Sequence, residues 1–253
     1  MAGEKPLFEF LLRMGDSPLI LGQRLSEWCG HGPALEEDIA VANIALDLIG
    51  QTRLWLDLAG EIEGRGRDAD TLAYHRDVWN FRNLLLVEQP NGDFGQTMMR
   101  QVMFDTWHHA QLTALVGSSE MRIAEIAEKA VKEVAYHLER SSETVIALGD
   151  GSEESHARMQ AALDLLWPYM GEAYQDDAVD EAMEAQGVAV LPSALRDDHH
   201  HTLITILQEA TLTVPDDPFC HTGGRNGVQH SEHLGHILPT MQWLQRAYPG
   251  ASW

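Results

Sequence analysis

The sequence predicts an all-α protein built on a four-helix bundle. Three observations carry this. Four long segments between residues 34 and 149 show apolar residues at helical spacing. No segment sustains the period-two alternation of a half-buried strand; Val188-Ala189-Val190-Leu191, just before Pro192, is the one β-like run. Helix punctuation recurs along the whole chain, with Ser, Asp or Pro at starts and Gly at ends. No repeat, low-complexity tract or long linker divides the 253 residues, so one domain is expected over 1–253. Its core bundle lies over about 34–149, with additional helices over 152–250.

Taken in order, Pro6 and Gly15 bracket a short helix, and Ser17-Pro18 opens a second that Gly30 closes. The first long helix runs from about Ala34 to Ala59, and its face Ile44, Asp47, Gln51, Leu54, Leu58 sets Asp47 among apolar neighbours. Asp68 or Asp70 caps the next, which ends before the turn Gln89-Pro90-Asn91-Gly92; Tyr74, Val78, Phe81 and Leu85 pack there beside Asp77. Two central helices follow, about Gly95 to Gly117 and Glu120 to Leu148. On the first, Met98, Val102, Leu112 and Val116 mark one face, with Asp105 on it and His108 one turn on. On the second, Ile123, Ala127, Val131, Val134, Leu138 and Val145 form the stripe, with Glu133 and His137 along its border. Shorter helices are expected from Glu153 to Met170, interrupted at Pro168, from Asp177 to Ala185, from Ser193 to Thr211 and from Glu232 to Ala247, kinked at Pro239. The stretch 214–227 reads as loop.

Composition bounds the function. Asp and Glu total 39 against 17 Lys and Arg, a net charge of −22, which repels nucleic acid and anionic membrane surfaces. No run reaches 18 apolar residues and no signal peptide is visible, so no membrane span is expected. Two cysteines, Cys29 and Cys220, make no disulfide framework, which fits a reducing cytoplasm.

The charged residues at core-like positions are the candidate site. Asp47, Asp77, Asp105 and Glu133 supply one carboxylate per long helix. A bundle that holds two irons uses such a set, with a histidine three residues after the acid on two helices. Here the pattern is incomplete. Asn80 follows Asp77 at that spacing and Tyr136 follows Glu133, with His137 one place late; Asp105 and His108 do have the spacing. Three of the four acids are aspartate, a methylene shorter. We therefore read Asp47, Asp77, Asp105, His108, Glu133 and His137 as the outline of a lost di-metal site, now a self-satisfied polar network, and expect no catalytic, cofactor-binding or metal-binding residue in this chain. His199-His200-His201 reads as a solvated triplet. The i, i+3, i+6 spacing of His230, His233 and His236, with Cys220-His221 nearby, supplies no matching set of four zinc ligands. Gly223-Gly224 and Gly227 read as a tight turn. No nucleophile motif is present, and Trp55, Trp79, Trp107 and Trp167 read as core or interface.

Long blocks of the chain carry a resemblance. EEDIAVANIALDLIGQTR (36–53), FRNLLLVEQPNGDF (81–94), KEVAYHLERSSETV (132–145), EATLTVP (209–215) and TGGRNG…HSEHLGHILPTMQWLQRAYPG (222–250) resemble the C subunits of bacterial phenylacetyl-CoA epoxidases. The resemblance extends from about residue 7 to Trp253. It implies a ferritin-like fold and membership of a cytoplasmic multicomponent monooxygenase that epoxidises the ring of phenylacetyl-CoA with dioxygen. It further implies that a related ferritin-like subunit holds the di-iron site and the substrate, that a separate FAD and iron–sulfur reductase brings electrons from NADPH, and that this chain is the structural partner. Two other readings stand beside it: a di-iron oxygenase in its own right, and a ferritin-like metal-binding homo-oligomer.

Overall fold

The computed structural model describes residues 4–216 and 219–251. Asp217 and Pro218 of the loop expected over 214–227 lie outside the described residues, as do 1–3 and 252–253. Among the described residues there are ten α-helices and no strand. They fall into two units, Met1–Pro90 with Thr222–Trp253, and Asn91–His221. The first begins with α1 (Glu4–Ser26), α2 (Leu35–Glu63), α3 (Ala69–Tyr74) and α4 (Leu85–Glu88). The second holds α5 (Phe94–Leu115), α6 (Met121–Gly149), α7 (Glu153–Leu166), α8 (Ala178–Ala185) and α9 (Arg196–Glu209). The last helix, α10 (Glu232–Ala247), belongs to the first unit.

α1 corrects one expectation. The breaker signals Gly15, Ser17 and Pro18 predict two short helices, yet the chain stays helical through all three. The reason is α2. A Cβ at residue 15 would lie 2.8 Å from Leu56 Cγ, so glycine lets the two helices close, and Thr52 Oγ1 donates to the Gly15 carbonyl at 3.0 Å. Leu11, Ile20, Leu21 and Leu25 bury themselves against this partner, as do Ile44, Leu48, Trp55 and Leu56 on α2. Packing over some six turns outweighs one missing backbone hydrogen bond.

The helix expected over about 68–89 is not one helix. Asp68 caps α3 as predicted, accepting from the Thr71 amide at 2.8 Å. α3 ends after six residues, a single 3₁₀ turn covers Val78–Asn80, and α4 is one turn long. Polar side chains, two of them local and one from α1, take up the backbone groups here. Asn80 Oδ1 accepts from the Asp77 amide, Asn83 Nδ2 donates to the Leu84 carbonyl, and Ser17 Oγ accepts from the Leu84 amide. The carbonyls this frees are taken by α10: buried Gln242 donates to Ala73 and Arg76 at 3.0 Å each. The four long helices are thus α1, α2, α5 and α6, and not four helices between residues 34 and 149.

In the second unit α5 is enclosed rather than amphipathic. Every residue from Thr97 to His108 is buried, because α6, α7 and α9 all pack against it. The single face predicted through Val116 does not exist; Val116 itself is exposed. On α6 the buried row runs Ile123, Ala127, Ala130, Val134, His137, Ser141, Val145. His137 lies within that row, not on its border, and a serine joins it one turn later.

Candidate functional site

The second unit gathers three of the six predicted residues. Asp105 on α5 is fully buried. Gln101, one turn earlier, donates from Nε2 to Asp105 Oδ1 at 2.7 Å, and Ser141 on α6 donates from Oγ to Oδ2 at 2.8 Å. Burial pushes the Asp105 carboxyl up to about 6; attraction to His137 and the two hydrogen bonds oppose that rise. His137, on the facing helix, is buried as completely. His108 lies one turn beyond Asp105, edged by the rings of Phe104 (4.9 Å) and Trp107 (6.1 Å). Neither of its ring nitrogens meets a hydrogen-bond partner among the described residues. Burial, reinforced by repulsion from His137 and His109, holds it at about 3, so it is a neutral imidazole at neutral pH.

The other three stand outside this buried cluster, Glu133 within the same unit and Asp47 and Asp77 in the first. Glu133 is half-buried on α6, facing Lys129 at 3.9 Å. Asp47 is half-buried on α2, in the first unit. Asp77 corrects its expectation outright. It precedes the 3₁₀ turn rather than sitting in a long helix, is exposed, and meets Arg246 of α10 at 2.7 Å. With the helix broken around it, no inward face remains to carry it.

Sequence reasoning missed several buried polar groups. Gln101 and Ser141 have ordinary helical spacing to Asp105 and His137 and no signal beyond that. His199, read as solvated, is buried: its Nε2 meets Thr106 Oγ1 at 2.7 Å, and Tyr174 donates its hydroxyl to Nδ1. Burial holds that ring at about 4. His200 and His201 are exposed as expected. In the first unit, buried Glu88 accepts from His230 Nδ1 at 2.6 Å, from Asn83 Nδ2 at 2.9 Å, and from the Ser231 amide and hydroxyl at 2.7 and 2.6 Å. This ties the start of α10 to α4 and uses the first histidine of the i, i+3, i+6 series structurally. Asp16 of α1 and Arg76 form a buried ion pair, with the Arg82 amide donating to Asp16 Oδ2 at 2.8 Å.

A di-iron centre needs several carboxylates converging on one point with free oxygen lone pairs. Asp105 has both oxygens engaged, and Glu133 is turned to a lysine. Among the described residues no three His, Cys, Asp or Glu side chains converge as metal ligands would. As placed, these residues do not present the converging carboxylates that a di-iron site uses.

Comparison with known proteins agrees with the resemblance. The chain matches the family of phenylacetic acid catabolic proteins over residues 1–253. The chain belongs to this family. It is also 47% identical, over 98% of its length and 99% of the relative's, to the C subunit of the Escherichia coli (strain K12) 1,2-phenylacetyl-CoA epoxidase. The family is ferritin-like, in accord with the all-α architecture. The expected resemblance therefore holds across the chain. No described helix is long and apolar enough to cross a membrane.

Proposed function

We propose that this chain is a structural, non-catalytic subunit of a multicomponent phenylacetyl-CoA epoxidase in the cytoplasm, holding a ferritin-like di-iron subunit that performs the chemistry. In this reading a separate FAD and iron–sulfur reductase supplies that partner with electrons, and the present chain contributes no group to the reaction. The observation that carries it is Asp105: the single fully buried acid of the predicted set has both oxygens occupied by Gln101 and Ser141, within a chain 47% identical to an epoxidase C subunit.

A second feature suits a partner-binding role. On α2, Leu35, Ile39, Leu46 and Ile49 are exposed, at 70%, 53%, 66% and 37%. Their spacings of 4, 7 and 3 put them on one edge of the helix, with Ala42 between. Such a seam is what a helix presents to another helix, and its exposure in so acidic a chain favours a permanent neighbour over solvent. We assign it to the di-iron subunit.

A competing observation is His108, whose neutral and unpartnered imidazole would suit a metal. It favours the reading in which the chain is itself a di-iron oxygenase. Iron content of the purified chain, alone and after assembly with the di-iron subunit, decides. Well under one equivalent alone, with iron appearing only in the complex and in proportion to the partner, is expected. Two irons per isolated chain with an oxo-bridge absorption band would overturn the structural reading.

A further inference from the structure

The second unit contains a cavity of about 300 Å³ that the buried cluster does not use. It lies among the 3₁₀ turns after α7, the start of α9 and the Phe219–Cys220 segment. Trp167, Tyr174 and Phe219 supply aromatic wall, and Arg196 and His200 supply polar groups. Apolar and polar surface line it in nearly equal share, which suits a small ligand with an apolar body and a polar end.

Three features bear on the ligand. The Tyr174 ring is fixed from behind, because its hydroxyl donates to His199 Nδ1 while Nε2 of that buried imidazole donates to Thr106 Oγ1. Thr106 Oγ1 in turn donates to the Val102 carbonyl at 2.8 Å. The Tyr174 side of the wall is thus anchored to α5 and needs little ordering when a ligand arrives. Next, the Arg196 guanidinium lies over the Tyr174 ring at 5.9 Å and makes no hydrogen bond or ion pair among the described residues, although the chain carries 39 acids. A planar fork of donors beside an aromatic face matches a carboxylate attached to a ring. Finally, Cys220 is a thiol and not a thiolate. Burial and the Glu172 charge push it up, so it adds a soft neutral wall rather than a repelling anion.

We propose that this cavity binds a small aromatic carboxylate, its ring between the aromatic walls and its carboxylate on Arg196. The site needs no partner subunit and stands apart from the epoxidase assignment. Asp197 and Asp198, next to Arg196 on α9, and Glu172 set a negative background, so the expected affinity is modest, on the order of 0.1–1 mM. Calorimetric titration of the isolated full-length chain tests it with benzoate and with benzamide, its neutral isostere. Benzoate should bind at one site, with benzamide about tenfold weaker or worse. Arg196→Gln, at an exposed position, should bring benzoate down to the benzamide level, Arg196→Lys should restore part of the difference, and Phe219→Ala should weaken both ligands. Equal affinity for the two probes, benzoate binding unchanged by Arg196→Gln, or no saturable binding of benzoate would each overturn the proposal.

Discussion

Asp105 and His108 are one helical turn apart, equally buried, and held in opposite directions by that burial. Asp105→Asn preserves size and keeps an acceptor for Ser141 or Gln101, so its thermal midpoint at pH 7 should stay near that of the native chain. Asp105→Leu leaves the Ser141 hydroxyl and the Gln101 amide without their acceptor and should cost roughly 1–3 kcal/mol. If Asp105 only structures the bundle, turnover of the assembled epoxidase should survive Asp105→Asn. A dead but fully folded and assembled Asp105→Asn complex would make it a ligand instead. The pH dependence carries a sign for each residue. A carboxyl raised from 3.8 to about 6 in the folded state binds its proton more tightly there, so its contribution is most favourable at low pH and is lost as pH rises from about 4 through 6. A histidine lowered from 6.5 to about 3 does the reverse: it costs nothing above 6.5 and destabilises as pH falls below that value. His108→Phe removes this penalty and adds a ring to the Phe104 and Trp107 contacts. It should match or exceed native stability at pH 7.5 and gain roughly 2 kcal/mol relative to it at pH 5, at about 1.4 kcal/mol per pKa unit. Urea unfolding at the two pH values measures this, and an unchanged difference between them would show that His108 keeps a partner or a proton in the folded state.

At the scale of elements, helix ends and crossings are decided by what touches them. Gly149 closes α6 where α7 and the end of α9 meet it. Its carbonyl accepts from His156 Nδ1 at 2.8 Å and Thr211 Oγ1 at 3.2 Å, while Ala210 occupies the space a Cβ would need, its own Cβ 2.8 Å away and its carbonyl closer. Gly149→Ala should therefore destabilise by about 1–3 kcal/mol through overpacking. Gly50 is the control: an exposed glycine inside α2 where an added Cβ would meet nothing within 4 Å. There alanine should stabilise by up to about 1 kcal/mol, from helix propensity alone. Thermal melts of the two variants should move in opposite directions, and a rise for both would mean that the α6–α9 contact is loose in solution.

For the whole molecule, the testable consequence is assembly. If the proposed function holds, co-expression with the di-iron subunit proposed as its partner should give one complex at micromolar concentration in size-exclusion chromatography, burying on the order of 2,000 Å² or more. Leu46→Glu, on the exposed seam of α2, should leave the chain folded and weaken or abolish that complex, since a charge set in a helix seam has no partner there. Separate elution of the native proteins would count against the assembly, and an intact Leu46→Glu complex would move the interface off α2.

Much of this was legible in the residues. Helical periodicity with no alternation dictates the all-α class, and Asp68 starts a helix where its side chain can accept from a free amide. The long family-like blocks point to the phenylacetic acid catabolic family before any coordinate is known. Asp105, His108 and His137 also stand out, because charge and imidazole at core spacing are costly enough to be noticed. Other features exist only in three dimensions. α1 runs through Gly15 and Pro18 because Leu56 and Thr52 of α2 reward the close approach. Asp77 turns to solvent because Asn80, Asn83 and Gln242 satisfy a broken backbone better than a helix would. His199 is buried and its neighbour His200 exposed because Thr106 and Tyr174 wait on one side of α9 alone. Local propensity sets the kind of each segment, whereas the partners of its polar groups come from distant residues, and that pairing settles which charges are sealed inside and which remain in water.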